Sequence, residues 1–187
     1  MDKTSKLPYR NIVVCGDVGT GTSTLAKGLA EKLGWQYIST GDFFRQYQKE
    51  HNIPLWEKSA IPDNVEKKTD SEFLEKLKNG KGFVADSHYA GWFTRNLTDV
   101  FRILLLCDKN VATERILARE HTHKETPAEI EKRRVQIRQK FKKLYSDDNY
   151  EDPKLFHLVI NTTYTSSKET IQKAYEEFTK NSSFNPA

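Results

Sequence analysis

Gly16-Asp17-Val18-Gly19-Thr20-Gly21-Thr22-Ser23-Thr24 is the stretch on which the reading of this chain turns. It follows a short apolar run, Asn11-Ile12-Val13-Val14-Cys15, which reads as a strand buried on both faces. It leads into residues 23–32, where Leu25, Leu29 and Leu33 recur at helical spacing beside Ala26 and Ala30, and Gly34 closes the helix. Strand, glycine-rich turn and helix match the position and spacing of a phosphate-binding loop, G-x-x-x-x-G-K-S/T, except that Thr22 stands where the lysine belongs. The glycines let the backbone curl so that successive N–H groups converge on phosphate oxygens, and the helix N-terminus adds partial positive charge. Ser23 falls where a hydroxyl ligates Mg²⁺. The blander reading is a glycine turn without a ligand. The strand before, the helix after and the Ser-Thr pair favour binding of a donor nucleotide by residues 16–24.

Outward from the loop, strand-like runs recur at 35–39, 82–86, 101–107 and 156–161. Helical spacing covers 41–50, 65–78, 110–120, 127–145 and 167–180, and residues 51–64, with Pro54 and Pro62, read as a loop. Strands separated by helices imply right-handed crossovers and a parallel sheet. The fold class is therefore α/β of the P-loop NTPase type: a five-stranded parallel sheet, helices on both faces and a helical lid. A chain of 187 residues predicts one domain, 1–187, with a core over about 10–180, a lid over about 115–140, and frayed ends at 1–9 and 182–187.

Without its lysine the loop lacks a point charge on the donor phosphates, and arginines are the available substitute. Five of the nine fall between 115 and 138: Arg115, Arg119, Arg133, Arg134 and Arg138. A guanidinium fork holds phosphate bidentately and suits a lid that neutralises a transferring phosphoryl group. All five are candidate catalytic residues, Arg119 and Arg133 foremost. Interleaved acids, among them Glu114, Glu125, Glu129 and Glu131, supply the alternative of a solvated, ion-paired helix face. Asp86 ends the third strand at the carboxyl edge, where open α/β sheets place ligands. It either joins Ser23 in holding Mg²⁺, through water, or caps the following turn. Asp42 and Arg45 open the next helix on the same edge, and Arg45 is either an acceptor-phosphate ligand or a surface arginine. His121-x-His123 reads as a solvated loop rather than a metal site.

Composition narrows the class further. Hydrophobic residues at 36% and charged residues at 30% are polar for a globular protein, but 11% aromatic content argues against wholesale disorder. No apolar run approaches the ~20 residues of a membrane helix, and residues 1–6 lack the apolar core of a signal peptide. Cys15 and Cys107, each in an apolar run, read as buried free thiols, which fits a reducing, cytoplasmic location. A net charge of +4 suggests anionic ligands. The basic residues are interleaved with acids and form no recognised nucleic-acid module. The expected partners are small-molecule nucleotides, with no nucleic acid and no membrane, and the expected state is a monomer.

Taken together these residues resemble the cytidylate kinases, most closely the archaeal type. That family's loop is similar to G-x-P-G-S/T-G-T-T-T, with threonine in place of lysine, and residues 16–24 match it except at Asp17-Val18 and Ser23. Ser39-Thr40-Gly41-Asp42-Phe43-Phe44-Arg45 resembles its A-G-x-I-F-R segment, which lines the nucleoside monophosphate site. Ala85-Asp86-Ser87-His88-Tyr89-Ala90-Gly91-Trp92 is similar to I-E-G-R-L-A-G-W, and residues 113–120 to x-E-R-I-x-x-R-E. Segments 142–145 and 158–162 resemble K-x-I-Y and L-V-I-D/N-T, so the likeness runs over about 11–178. It implies transfer of the ATP γ-phosphoryl group to CMP or dCMP with Mg²⁺, and an acceptor site among Asp42, Arg45, Asp70, His88 and Gly91. It also implies that Thr22 is no lesion. His88 stands where the family has an arginine, Ser87 replaces a glycine, and Lys140 replaces an arginine. A protonated His88 would donate to an acceptor phosphate. The alternatives are a kinase for another small acceptor and a nucleotide-binding regulator without turnover.

Overall fold

The computed structural model describes residues 9–119 and 124–182. Five strands, β1 (Asn11–Gly16), β2 (Gln36–Ser39), β3 (Phe83–Asp86), β4 (Val100–Leu106) and β5 (Leu158–Asn161), form one parallel sheet in the order β2-β3-β1-β4-β5. The helices are α1 (Thr22–Leu33), α2 (Thr40–Glu50), α3 (Asp63–Asn79), α4 (Ala90–Phe93), α5 (Lys109–Leu117), α6 (Pro127–Leu144) and α7 (Ser167–Asn181). The fold class anticipated from the loop and the strand runs is the one observed. Helix and strand limits fall within a few residues of the expected ones. The short α4 and the 3₁₀ turns Lys58–Ala60 and Pro153–Leu155 lie in stretches that carry no periodic signal.

β1 sits at the centre, and its alternation builds the core. Ile12 and Val14 point to one face, among Leu25, Leu29 and Phe178 from α1 and α7. Val13 and Cys15 point to the other, among Phe73 and Leu77 of α3 and Leu104 of β4. Every residue of β1 is buried, so the run lacks the polar alternation of a half-exposed strand. α6 starts with a capping box: Thr126 and Glu129 satisfy each other's backbone N–H groups behind Pro127.

Two expectations are corrected here. Fraying at 1–9 and 182–187 fails at Tyr9 and Ser182, both buried; the Tyr9 ring meets Phe101 edge-on at 5.1 Å. The other residues of those two stretches, like His121 and His123, lie outside the described ones. Cys107 is not a buried strand residue: β4 ends at Leu106, and the half-buried thiol accepts from Arg115 Nη1 at 3.4 Å. Both cysteines are free, and burial pushes the Cys15 thiol well up. Among the described residues no helix is long and apolar enough to cross a membrane.

Candidate active site

The glycine loop joins the carboxyl end of β1 to α1, and neighbours hold it from three sides. Thr20 folds it on itself, its N–H and Oγ1 donating to the Asp17 carbonyl at 3.2 and 2.8 Å. Thr162 Oγ1, beyond β5, donates to the Thr20 carbonyl at 2.9 Å. His88 Nδ1 lies 2.9 Å from the Gly16 carbonyl, where it donates. Gly19 has a φ of +84°, and a Cβ there would stand 2.4 Å from the Ala112 carbonyl of α5, so no other residue fits.

Two cavities meet at this loop. The larger, about 430 Å³, runs from the loop across to α2 and is lined by Thr40, Asp42, Arg45, Asp86, His88 and Arg133 among others. The smaller, about 400 Å³, lies between the loop and residues 162–170. Gly19, Gly21, Thr24 and Arg119 line both. A ligand bridging the cavities would therefore pass the loop N–H groups and one guanidinium.

The five candidate arginines divide. Arg119 and Arg133 face the larger cavity. Arg133 is largely buried and pairs with buried Glu125 at 3.1 Å. Its Nε has no hydrogen-bond partner among the described residues, which leaves a donor available to an anion. Burial lowers the Arg133 pKa, and nearby Arg119, Arg45 and Arg134 add to that lowering, against the pull of Glu125. Arg133 thus lies in a field of like charge that an entering anion would relieve. The other three are committed elsewhere. Arg115 lines the smaller cavity but donates from Nη2 to the Thr162 carbonyl at 2.6 Å. Buried Arg134 donates to Thr113 Oγ1 at 3.0 Å and has Nε 3.5 Å from Asp17 Oδ2. Arg138 reaches the same Asp17 oxygen at 3.0 Å. Asp17 therefore turns Oδ2 toward α6 while its Oδ1 accepts from the Val18 N–H at 2.7 Å, and Val18 packs beside Ile137 and Phe141.

On the acceptor side, Ser39 caps α2 by accepting from the Asp42 N–H at 3.2 Å, and Asp42 pairs with Arg45 one turn on. His88 lines the larger cavity, but burial lowers its pKa and its Nδ1 is engaged with Gly16. The ring is therefore neutral near pH 7, contrary to the expectation of a protonated donor. Gly91 and Asp70 do not line the cavity. Gly91 donates its N–H to Cys15 Sγ at 3.1 Å, and a Cβ there would strike the Phe156 ring at 2.4 Å. Asp70 accepts from the Tyr145 hydroxyl at 2.7 Å, deep between α3 and α6. Lys140, in the family's arginine position, is also buried and donates to the Ile61 carbonyl at 2.6 Å and to Asp63 at 2.7 Å.

Sequence reading missed Lys27, Gln48, Lys58 and Glu125, all of which line the larger cavity. Lys58 and Glu125 lie in connecting segments without periodicity, and only the packing of α2, α3 and α6 brings them to the loop.

Ser23 Oγ donates to Asp86 Oδ2, so the loop hydroxyl and the carboxylate at the end of β3 converge at the start of α1. No group of three or more His, Cys, Asp or Glu side chains suited to a metal occurs among the described residues. A hydroxyl and one carboxylate beside a phosphate loop fit Mg²⁺, which completes its shell with water and substrate oxygens rather than a protein cage.

Comparison with known proteins places this geometry among relatives. A family model described as an AAA domain matches residues 12–139. The chain is 34% identical over 157 residues to the cytidylate kinase of Sulfolobus acidocaldarius, covering 82% of this chain and 85% of that one. It is 32% identical over 168 residues to the cytidylate kinase of Aeropyrum pernix, covering 88% and 96%. Among solved structures, a gluconokinase from Sinorhizobium meliloti aligns with a TM-score of 0.65 at 16% identity over 94% of both chains. The shikimate kinase of Acinetobacter baumannii, in complex with shikimate, aligns with a TM-score of 0.61 at 18% identity over 94% and 96%. At such identity the structural likeness speaks for the fold alone.

Proposed function

Since the chain belongs to the cytidylate kinase family, we propose that it transfers the γ-phosphoryl group of ATP to CMP or dCMP. The observation that carries this reading is the pair of cavities that share the glycine loop and Arg119. The donor occupies the smaller cavity, with its phosphates on the N–H groups of residues 16–22 and its γ-phosphate at Arg119. The acceptor occupies the larger, with its phosphate toward Arg45 and Arg133. An oxygen of the acceptor phosphate attacks the γ-phosphorus as the bond to the β,γ-bridging oxygen breaks. The acceptor dianion needs no base, and the leaving group departs as ADP. Catalysis then rests on alignment and on cations placed where negative charge accumulates. Ser23 and Asp86 would hold Mg²⁺, which when bound would neutralise charge on the donor phosphates.

Thr22 cannot supply a lysine's charge, and Arg119 and Arg133 take over that task. Arg134 and Arg138 act indirectly, by fastening α6 to Asp17 of the loop. The stretch 115–140 serves as the lid of the single domain. The same reading makes the protein a cytoplasmic monomer whose partners are nucleotides; its two free thiols suit a reducing compartment.

The test is an acceptor panel of CMP, dCMP, UMP, AMP and GMP with ATP–Mg²⁺. Turnover is expected with CMP and dCMP. Turnover confined to another acceptor, or ATP binding without turnover, overturns the reading. Arg119→Ala and Arg133→Ala are each expected to lower kcat by ~10²-fold or more. Unchanged kcat in both would leave Arg133 a structural partner of Glu125 and overturn the role given to these two arginines.

A further inference from the structure

We propose that Gln48 and Lys58 read the pairing edge of the acceptor base and make the site prefer cytosine to uracil; this rests on the larger cavity holding a pyrimidine nucleotide. Gln48 of α2 is buried and lines that cavity. Its Nε2 donates to the carbonyls of Pro54 and Leu55 at 2.9 and 3.2 Å, so both amide protons are used. Turning the amide over would set Oε1 against two carbonyl oxygens, so the loop 51–57 dictates which way the side chain points. Oε1 receives no hydrogen bond among the described residues. What the side chain has left to offer the cavity is a fixed acceptor.

Lys58 supplies the opposite character. It is buried, lines the same cavity, and is held on two sides: Nζ lies 3.0 Å from Glu66 Oε1 and 3.4 Å from the centroid of the Phe44 ring. Phe44 and Gln48 are one turn apart on α2 and share a face. Lys58 Nζ over Phe44 and Gln48 one turn further along α2 therefore bring a donor and an acceptor to the same cavity. Cytosine presents an amino donor next to the N3 acceptor. Uracil reverses the pattern, with a carbonyl acceptor next to an N3–H donor. The pair complements cytosine. Against uracil it sets oxygen to oxygen and leaves a buried polar group unpaired, which is the strong form of discrimination.

The experiment compares kcat/KM at saturating ATP–Mg²⁺ for CMP, for UMP, and for pyrimidin-2-one ribonucleoside 5′-monophosphate, which is CMP without its amino group. The parent is expected to favour CMP over the analogue by ~10-fold or more, the loss of one buried hydrogen bond. Gln48→Met, which keeps the length and removes the acceptor, is expected to bring that ratio within about 2-fold of unity. An undiminished ratio in folded Gln48→Met overturns the assignment. A parent that turns over CMP and the analogue equally also overturns it, whether or not the variant folds, and leaves the kinase reading intact. A parent that turns over no pyrimidine nucleotide overturns the kinase reading itself.

Discussion

Asp70→Asn is expected to stabilise the protein, and more so at alkaline than at acid pH. Asp70 is 3% exposed on α3, beside Glu66 at 0% and Lys58 at 8%. Burial pushes its carboxyl from the usual 3.8 up to about 7; the Tyr145 hydroxyl and Lys58 pull the other way, and Glu66 adds to the rise. Between those two values the folded state binds more protons than the unfolded one. Stability therefore falls as pH rises from 3.8, and levels off above about 7. At ~1.36 kcal/mol per pH unit, ionising Asp70 costs the fold ~4 kcal/mol in full, of which ~2 kcal/mol develops between about pH 5.5 and 8.5. Asparagine keeps an acceptor for Tyr145 and carries no charge. The pull of Lys58 on Asp70 is already counted in that figure, so the gain at pH 8.5 is at most ~4 kcal/mol. Urea unfolding of parent and variant across this range reads the effect, because titrating groups that do not interact with Asp70 cancel in the difference. A stability gap that stays flat with pH, or that narrows as pH rises, would refute the argument that Asp70 is buried against its charge.

Gly19→Ala should lose both stability and ATP affinity, since its Cβ would meet the Ala112 carbonyl at 2.4 Å in a backbone at φ +84°; a cost of ~1–3 kcal/mol in unfolding experiments is expected, and an unchanged Tm and ATP Kd would contradict it. The KM for CMP should show no His88-dependent limb above about pH 6.5, because burial lowers this histidine's pKa and keeps the ring neutral there. Profiles of the parent and His88→Asn that diverge only above that pH would be the contrary result. Thr22→Lys should not rescue an inert parent: brisk turnover by the variant beside an inactive parent would mean that the loop is degenerate.

Much of the fold was legible in local pattern. An unbroken apolar run at 11–15, a glycine turn and leucines four apart are short-range signals, and they specify a buried strand, a phosphate loop and the helix behind it. Ser23 and Asp86 both fall at the carboxyl edge by sequence, and the pairing of β1 with β3, which no local pattern shows, brings them together. Partner choice among the arginines was not legible. Arg119, Arg133, Arg134 and Arg138 are chemically alike and sit in one charged stretch, yet two face a cavity and two are spent on Asp17. Arg138 and Asp17 are 121 residues apart, and Lys132 and Glu57 are 75 apart. Helical periodicity tells which side chains share a face, but not what stands opposite that face. That is settled by how α6 packs across the loop and the 58–60 turn, a matter of non-local contacts that leave no periodic trace. Gln48 is the plainest case: its sequence neighbours make it a polar residue on a helix, and the carbonyls of Pro54 and Leu55, brought back against it by the chain's own turn, decide which end of its amide meets the ligand.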